Sequence, residues 1–420
     1  MQKEKNNIIL RIIELTYFIS IFLPIYNSNN IGSYIKLIGN FNIIHLLLLV
    51  SLVLVFLVKR NLKFPIPDFL VIMYIMISFL MGFWGLMQGY EDAFIELVWY
   101  VIPALFYFII KYWTDHGLGI RRFLDITYYA MFGNCIFNLV MFLTQSWEFW
   151  GFRAYLGTKI GGNYYTVLSV TLPYGFYLLY NKNRRIHPVI LTLSTVLSIW
   201  CLIMAQSRAL LILAVVPCVV LLFQSFNNKY GRGTIRKIIF IFVFIIAGYF
   251  LIKNLLSNDS GMGARLASMQ IFSDEDTFTI RVYSFIYNFK VFLENIFGRG
   301  LGYPLYFYNN LGIRTSSVVY LDNTYMTEAV RGGVFLLIIL VWAFLQPLKK
   351  LSKLYKATRD KIYFCTLMAY IVFLVNATIM TSQTIHGTAV SIFIWSFISV
   401  CINDNSSIIE SAIKEGTREC

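Results

Sequence analysis

Charge is scarce in this 420-residue chain. Asp, Glu, Lys and Arg together make up 13% of it against 58% hydrophobic residues, and the mean hydropathy is +0.67. A soluble domain of this length must cover its core with charge, so a water-soluble globule is excluded. Acidic residues are the rarer sign, 21 against 35 basic ones, for a net charge of +14. On a soluble surface that excess would suggest nucleic acid. Here most Lys and Arg fall in short connectors between apolar runs, which is the mark of membrane topology, and no nucleic-acid partner is expected. Cysteine is also sparse. Cys135, Cys201, Cys218, Cys365 and Cys401 sit inside apolar runs and Cys420 is the last residue, with no CxxC pair. That excludes a disulfide framework and a zinc site, and no metal or other cofactor is expected. The stretch Met1 to Tyr26 lacks a small-residue cleavage site and carries Glu14, so it reads as an uncleaved first helix.

What the chain has in quantity is long apolar stretches. They lie near 8–26, 41–58, 68–87, 95–112, 124–144, 163–180, 188–205, 209–226, 238–256, 332–348, 362–380 and 388–402. Runs of roughly 17 to 22 residues suit about 30 Å of hydrocarbon. The expectation is an all-α, polytopic transmembrane helical bundle of about twelve helices, forming a single membrane domain over 1–420. Every even-numbered run is followed by a basic segment, among them Lys59 and Arg60, Arg121 and Arg122, Arg184 and Arg185, Arg236 and Lys237, and Lys349 to Lys361. By the positive-inside rule these segments, and both termini, are cytoplasmic. The opposite face then carries one long segment, 257–331, too rich in Tyr, Phe and Leu to be disordered. No internal repeat relates the two halves, which counts against a transporter built from repeats.

Charged residues on that far side need an explanation. Arg208, in Ser207-Arg208-Ala209-Leu210-Leu211, sits in a tight hairpin, where its guanidinium either snorkels to the interface or meets an anion. Val282, Phe285, Ile286, Phe289 and Leu293 recur at spacings of three and four, while Arg281, Ser284, Asn288 and Asn295 fall on another stripe. That is an amphipathic helix with Arg281 in its first turn. Gly298, Gly300 and Gly302 alternate, which marks a tight and unusual backbone course. The loop lacks the Lys-Ser/Thr of a nucleotide-binding P-loop. Asp322-Asn323-Thr324-Tyr325 precedes Glu328, Arg331, Gly332 and Gly333 at the start of run ten, with Asp322 expected just above the membrane. Asp322 either caps the helix or, facing the same cleft as the arginines, serves as a general base.

In these motifs, over about 205–335, and in topology over most of its length, the chain resembles the superfamily of O-antigen ligases (WaaL) and polysaccharide polymerases (Wzy). The resemblance implies a bacterial cytoplasmic-membrane enzyme whose donor and acceptor are oligosaccharides on undecaprenyl pyrophosphate, presented at the outer leaflet. A flippase and a chain-length regulator are the partners it suggests. Arg208 and Arg281 would hold the departing pyrophosphate, since a planar guanidinium fork grips two phosphate oxygens and stays charged. Arg265 and Arg299 are second candidates for the phosphates, and Arg153 for either substrate. Asp322 would accept the proton of the attacking sugar hydroxyl, with His386 as an alternative base. Asn323 and Tyr325 belong to the same motif, and Tyr303, Tyr306, Phe307, Tyr308 and Tyr320 offer rings to sugars. The ligase branch is expected to carry His where this chain has Asp322, which favours polymerase. A ligase and, from a different class, a flippase of the same lipid-linked units are the alternatives.

Overall fold

The computed structural model describes residues 2–22, 36–38, 41–58, 65–143, 167–180, 186–204, 216–219, 277–309, 311–318, 321, 323–379 and 389–404. Arg153, Arg208, Arg265, Tyr320, Asp322 and His386 lie outside the described residues. So does the expected run 238–256, and so does all but 216–219 of run 209–226.

Apart from α8, which falls in the long segment 257–331, the described helices follow the apolar runs. They are α1 (Gln2–Phe22), α2 (Ile43–Val58), α3 (Ile66–Met87), α4 (Ala93–Asp115), α5 (Ile120–Leu143), α6 (Leu168–Tyr180), α7 (Pro188–Met204), α8 (Thr277–Glu294), α9 (Thr324–Thr358), α10 (Lys361–Ile379) and α11 (Ala389–Asn403). Two antiparallel hairpins interrupt them, β1 (Lys36–Ile38) with β2 (Phe41–Asn42), and β3 (Leu305–Tyr308) with β4 (Arg314–Val318). Among the described residues three helices, α3, α4 and α9, are long and apolar enough to cross a membrane. The shorter apolar helices include α2 and parts of α6, α7, α10 and α11. The expected all-helical class holds; these helices do not establish the expected count of twelve.

The side chains are distributed inside out relative to a soluble protein. Helix α3 exposes Phe69, Met76, Phe79, Leu80, Phe83 and Met87 and buries Tyr74, Ser78 and Gly82. Thr16 and Ser51 meet at 3.0 Å in the interior between α1 and α2. Apolar side chains facing outward along whole helices, with the hydroxyls of Thr16, Ser51 and Ser78 hydrogen-bonded inside, is the arrangement that hydrocarbon solvent selects. This is a membrane protein.

The bundle has two chemically different ends. At the basic end, Arg121 pairs with Asp360, which also accepts from Tyr177 at 3.1 Å. Nearby, Arg122 pairs with Glu14 at 2.9 Å. The Lys350 ammonium donates to the Asp404 carbonyl at 2.6 Å. Beneath them Lys111 of α4 and Asp68 of α3 form a buried ion pair, and the Tyr107 hydroxyl donates to Asp68 at 3.0 Å. The other end, where α3 leads into α4, receives the Gly-rich turn, and we call it the turn end.

Helix α9 is not one rod. Gly333 has φ 75° and ψ −177°, outside the helical region and in a sign of φ that disfavours any residue with a Cβ. The rings of Tyr325 and Phe344 nevertheless meet at 6.1 Å. On a straight helix rising 1.5 Å per residue they would stand about 28 Å apart. The segment 324–332 therefore folds back against the longer arm 334–358. Contacts to α4, which runs away from the turn end, give the direction of the short arm. Glu96, near the start of α4, meets Arg331, while Tyr100, one turn deeper, stands beside Glu328. The short arm climbs toward the turn end and the long arm descends. The expected start of this helix at 332 is thereby corrected, because Thr324 already opens it. Asp322, expected just above the membrane, lies outside the described residues, but the residues that follow it can be placed. Thr324, Thr327 and Glu328 are fully buried within the bundle.

Candidate functional site

The break at Gly333 removes helical partners from three backbone groups, and one loop replaces all of them. Arg299 N–H donates to the Val330 carbonyl at 2.8 Å, Gly300 N–H donates to the Arg331 carbonyl at 3.0 Å, and Val334 N–H donates to the Ile296 carbonyl at 2.9 Å. Leu301 N–H reaches Met81 of α3 at 3.0 Å. Glycine is required for so close an approach. Gly298, Gly300 and Gly302 have φ of 98°, 97° and 80°. A Cβ on Gly298 would stand 2.6 Å from the Arg331 carbonyl oxygen. The tight backbone course expected from the alternating glycines is present, and its purpose is to plug a broken helix.

Side chains fix the same turn from below. Arg331 donates through Nε at 3.0 Å and Nη2 at 2.9 Å to the Tyr303 carbonyl, while its Nη1 lies 2.7 Å from Glu96 Oε1. The other Glu96 oxygen accepts from Gly302 N–H at 2.7 Å. Both residues are buried. Glu96 escaped the sequence reading. The available signal was an acid inside an apolar span, which demands a partner.

Helix α8 lies beside the turn and its facing is reversed from the usual amphipathic helix. Its apolar residues Val282, Phe285, Ile286, Phe289 and Leu293 are exposed, whereas Ser284 and Asn288 are buried. The Ser284 hydroxyl accepts from Tyr308 N–H at 2.9 Å, and the Asn288 amide donates to the Tyr306 carbonyl at 3.0 Å. These polar groups dock the helix onto β3 and leave the apolar face outward. Phe297 at the end of the stripe stacks on Phe335 of α9 at 6.0 Å, which continues the apolar exterior of the bundle. Arg281 is half-buried. Because α8 begins at Thr277, Arg281 opens the second turn, not the first.

The remaining expected site residues divide. Arg299 is paired with Glu294 at 2.9 Å and stands 5.9 Å from the Tyr303 ring centroid, with its Nε buried and unpartnered among the described residues. Its partner Glu294 is 66% exposed, so the pair is a weak one that a phosphate can displace. Tyr303 is half-buried against Tyr90, with ring centroids 5.8 Å apart. Burial pushes its phenol pKa up, with Arg299 pulling the other way, so the hydroxyl remains a donor at neutral pH. Asn323 has a structural use. Its Oδ1 accepts from Met326 N–H at 2.9 Å and its Nδ2 donates to the Thr378 carbonyl at 3.1 Å. It is the helix cap, the role that Asp322 was weighed for, and it ties α9 to α10. Tyr325 turns into the bundle against Phe344.

The β3–β4 hairpin brings in residues that the sequence reading passed over. The Arg314 guanidinium lies 4.2 Å from the Tyr306 ring centroid, and Lys290 lies 4.8 Å from that of Tyr287, which itself stacks on Tyr308 at 5.0 Å. The signal was an aromatic run, an Asn-Asn-Leu-Gly turn and a short run of Thr and Ser ending in Val318, which together spell a hairpin. Among the described residues, no group of His, Cys, Asp and Glu that could hold a metal ion is present.

No curated protein matches the chain. A family model described as O-antigen ligase matches residues 193–341, about a third of the chain. That segment takes in α8, the Gly-rich turn, the hairpin and the fold-back of α9, and the match supports a place in the WaaL-like superfamily of glycan-processing membrane proteins.

Proposed function

We propose that the protein is a polysaccharide polymerase, a glycosyltransferase that joins undecaprenyl-pyrophosphate-linked oligosaccharide units at the outer face of a bacterial cytoplasmic membrane. The observation that carries this reading is the assembly at the turn end. An arginine-bearing helix, an arginine-bearing turn and a helix head are docked together there, within the segment similar to O-antigen ligases. The basic end, rich in Lys and Arg, is then the cytoplasmic one.

The acceptor sugar hydroxyl attacks the anomeric carbon of the donor. The new C–O bond forms as the bond to pyrophosphate breaks, and the pyrophosphate leaves with the electron pair. Arg208 and Arg281 fork onto the phosphate oxygens where that charge gathers, and Arg299, exchanging Glu294 for phosphate, assists them. Arg265 and Arg153 stand in reserve for the same anions. The hydroxyl proton passes to Asp322, or to His386 if Asp322 proves dispensable. Tyr303 and the hairpin rings hold sugars. With arginines neutralising the leaving group, the reaction needs no metal. Ligation to a different acceptor is the second reading, favoured by the description of the matching family.

The test is reconstitution in vesicles with one defined undecaprenyl-pyrophosphate oligosaccharide and no other acceptor. A ladder of longer lipid-linked glycans supports polymerase. Transfer that appears only when a second lipid acceptor is added supports ligase, and no transfer in either case rejects both. Arg281→Lys is expected to shorten the ladder, because an ammonium cannot reproduce a bidentate fork.

A further inference from the structure

We infer that Glu96 and Arg331 are positioning residues for glycan transfer, acting through the backbone of the Gly298–Tyr303 turn. The inference rests on the reading of function above, but the geometry behind it is independent of that reading. An ion pair that merely neutralises itself in a membrane interior leaves its remaining donors and acceptors to each other. This pair directs them at one loop. One Glu96 oxygen faces Arg331 at 2.7 Å, and the other accepts from Gly302 N–H at 2.7 Å. Arg331 gives two further N–H groups to the Tyr303 carbonyl, at 3.0 and 2.9 Å. The Arg331 carbonyl takes Gly300 N–H at 3.0 Å. Gly300, Gly302 and Tyr303 are thus each held by a group belonging to the pair.

The consequence falls on the side chains the turn presents. Arg299 and Tyr303 project from backbone that is fixed on both sides, so their direction is set from beneath and not by their own surface contacts. The Arg299–Glu294 pair is exposed and weak by comparison. Preorganised donors stabilise developing charge without reorganising during the reaction. Substrate meets Arg299 and Tyr303, and the buried pair meets only the turn.

Direction also separates this role from charge balance. Guanidinium and carboxylate are not interchangeable here, because a carboxylate cannot donate to the Tyr303 carbonyl and a guanidinium cannot accept from Gly302 N–H. Exchanging the two residues preserves the charges and inverts both hydrogen bonds.

The experiment uses the full-length protein in lipid nanodiscs. Hydrogen exchange is followed on the peptide containing 298–303, and transfer is followed from a defined undecaprenyl-pyrophosphate oligosaccharide. Glu96→Gln keeps the side-chain shape and Arg331→Lys keeps the charge, and each is scored only after a thermal melt shows a folded bundle. Each is expected to speed exchange at the turn by about tenfold and to raise the donor KM by about tenfold, with a smaller fall in kcat. The exchanged pair, Glu96→Arg with Arg331→Glu, is expected to leave the turn unprotected and the KM high. Asp68→Asn, at the far end of the bundle, is the control, with turn exchange and KM both at wild-type values. Restoration of turn protection and KM by the exchanged pair would reduce Glu96 and Arg331 to charge neutralisation and overturn the inference. A turn that opens in the single variants while KM stays unchanged overturns it too. If the wild-type protein transfers nothing, the functional reading fails, and the exchange data alone then decide whether the pair holds the turn.

Discussion

Helix α4 carries a buried charge near each of its ends, and the two are used differently. Near the basic end Lys111 meets Asp68 of α3, and the third participant is another side chain of α4, the Tyr107 hydroxyl. Helix is tied to helix, and among the described residues no loop is involved. Near the turn end Glu96 meets Arg331 of α9, and the remaining hydrogen-bonding groups of both go to backbone of the turn. One pair locks a scaffold; the other transmits that scaffold's rigidity to a surface. The number of ion pairs at each end says nothing about this. What matters is where the unused donors and acceptors point.

Breaking either pair leaves a buried charge without its partner, at a cost of about 3–5 kcal/mol. Arg331→Met and Asp68→Asn should therefore both lower the melting temperature of the detergent-solubilised protein. Only Arg331→Met should abolish transfer per folded molecule. Equal loss of specific activity in both would erase the distinction between the ends. A glycine comparison comes next in size. Gly298 and Gly117 have nearly equal positive φ, 98° and 102°, but among the described residues a Cβ on Gly117 meets nothing within 4 Å. Gly117→Ala should cost about 1–2 kcal/mol from backbone conformation alone, and Gly298→Ala more, with shorter polymer only in the second. Thermal melting and glycan length on gels read both. Ser284→Ala removes the acceptor of Tyr308 N–H and should cost about 1 kcal/mol, seen as faster amide exchange in β3 with the helices unaffected. The smallest effect is expected at Glu328. Among the described residues neither of its oxygens makes a well-formed hydrogen bond, and Glu328→Gln keeps its shape, so melting should move by less than about 1 kcal/mol. A large loss there would show that the turn end depends on two acids and not on Glu96 alone.

Local patterns in the sequence were legible. Hydropathy placed the helices and the alternating glycines announced the turn, because both are properties of neighbouring residues. The stripe on α8 was legible as well, but not its facing. Spacings of three and four gather the apolar residues on one side of a helix, yet they cannot say whether lipid or protein meets that side. Ser284 and Asn288, read only as a separate stripe, are the buried side. Gly332-Gly333 read as the beginning of a helix, since glycines are common at helix ends. In fact Gly333 lies in the middle of two helical arms. The Glu96–Arg331 pair joins residues far apart in the chain, and no periodicity records such a meeting. Of the expected site, the described residues bring Arg299 and Tyr303 onto one turn and assign Asn323 and Tyr325 to helix capping and packing.

The fold-back at Gly333 bears on how the chain enters its membrane. The segment 324–332 is too short to span a bilayer, so insertion machinery that recognises long apolar stretches would pass it over. Too short to cross, it adds no crossing of its own. The alternation of basic connectors is thus undisturbed by its presence. The short arm packs on α4 through Glu96 and Tyr100, so it is seated only once α4 stands in place to receive it. Biogenesis of this protein would then end with a post-insertion step, in which the turn closes over a helix that no hydropathy count includes.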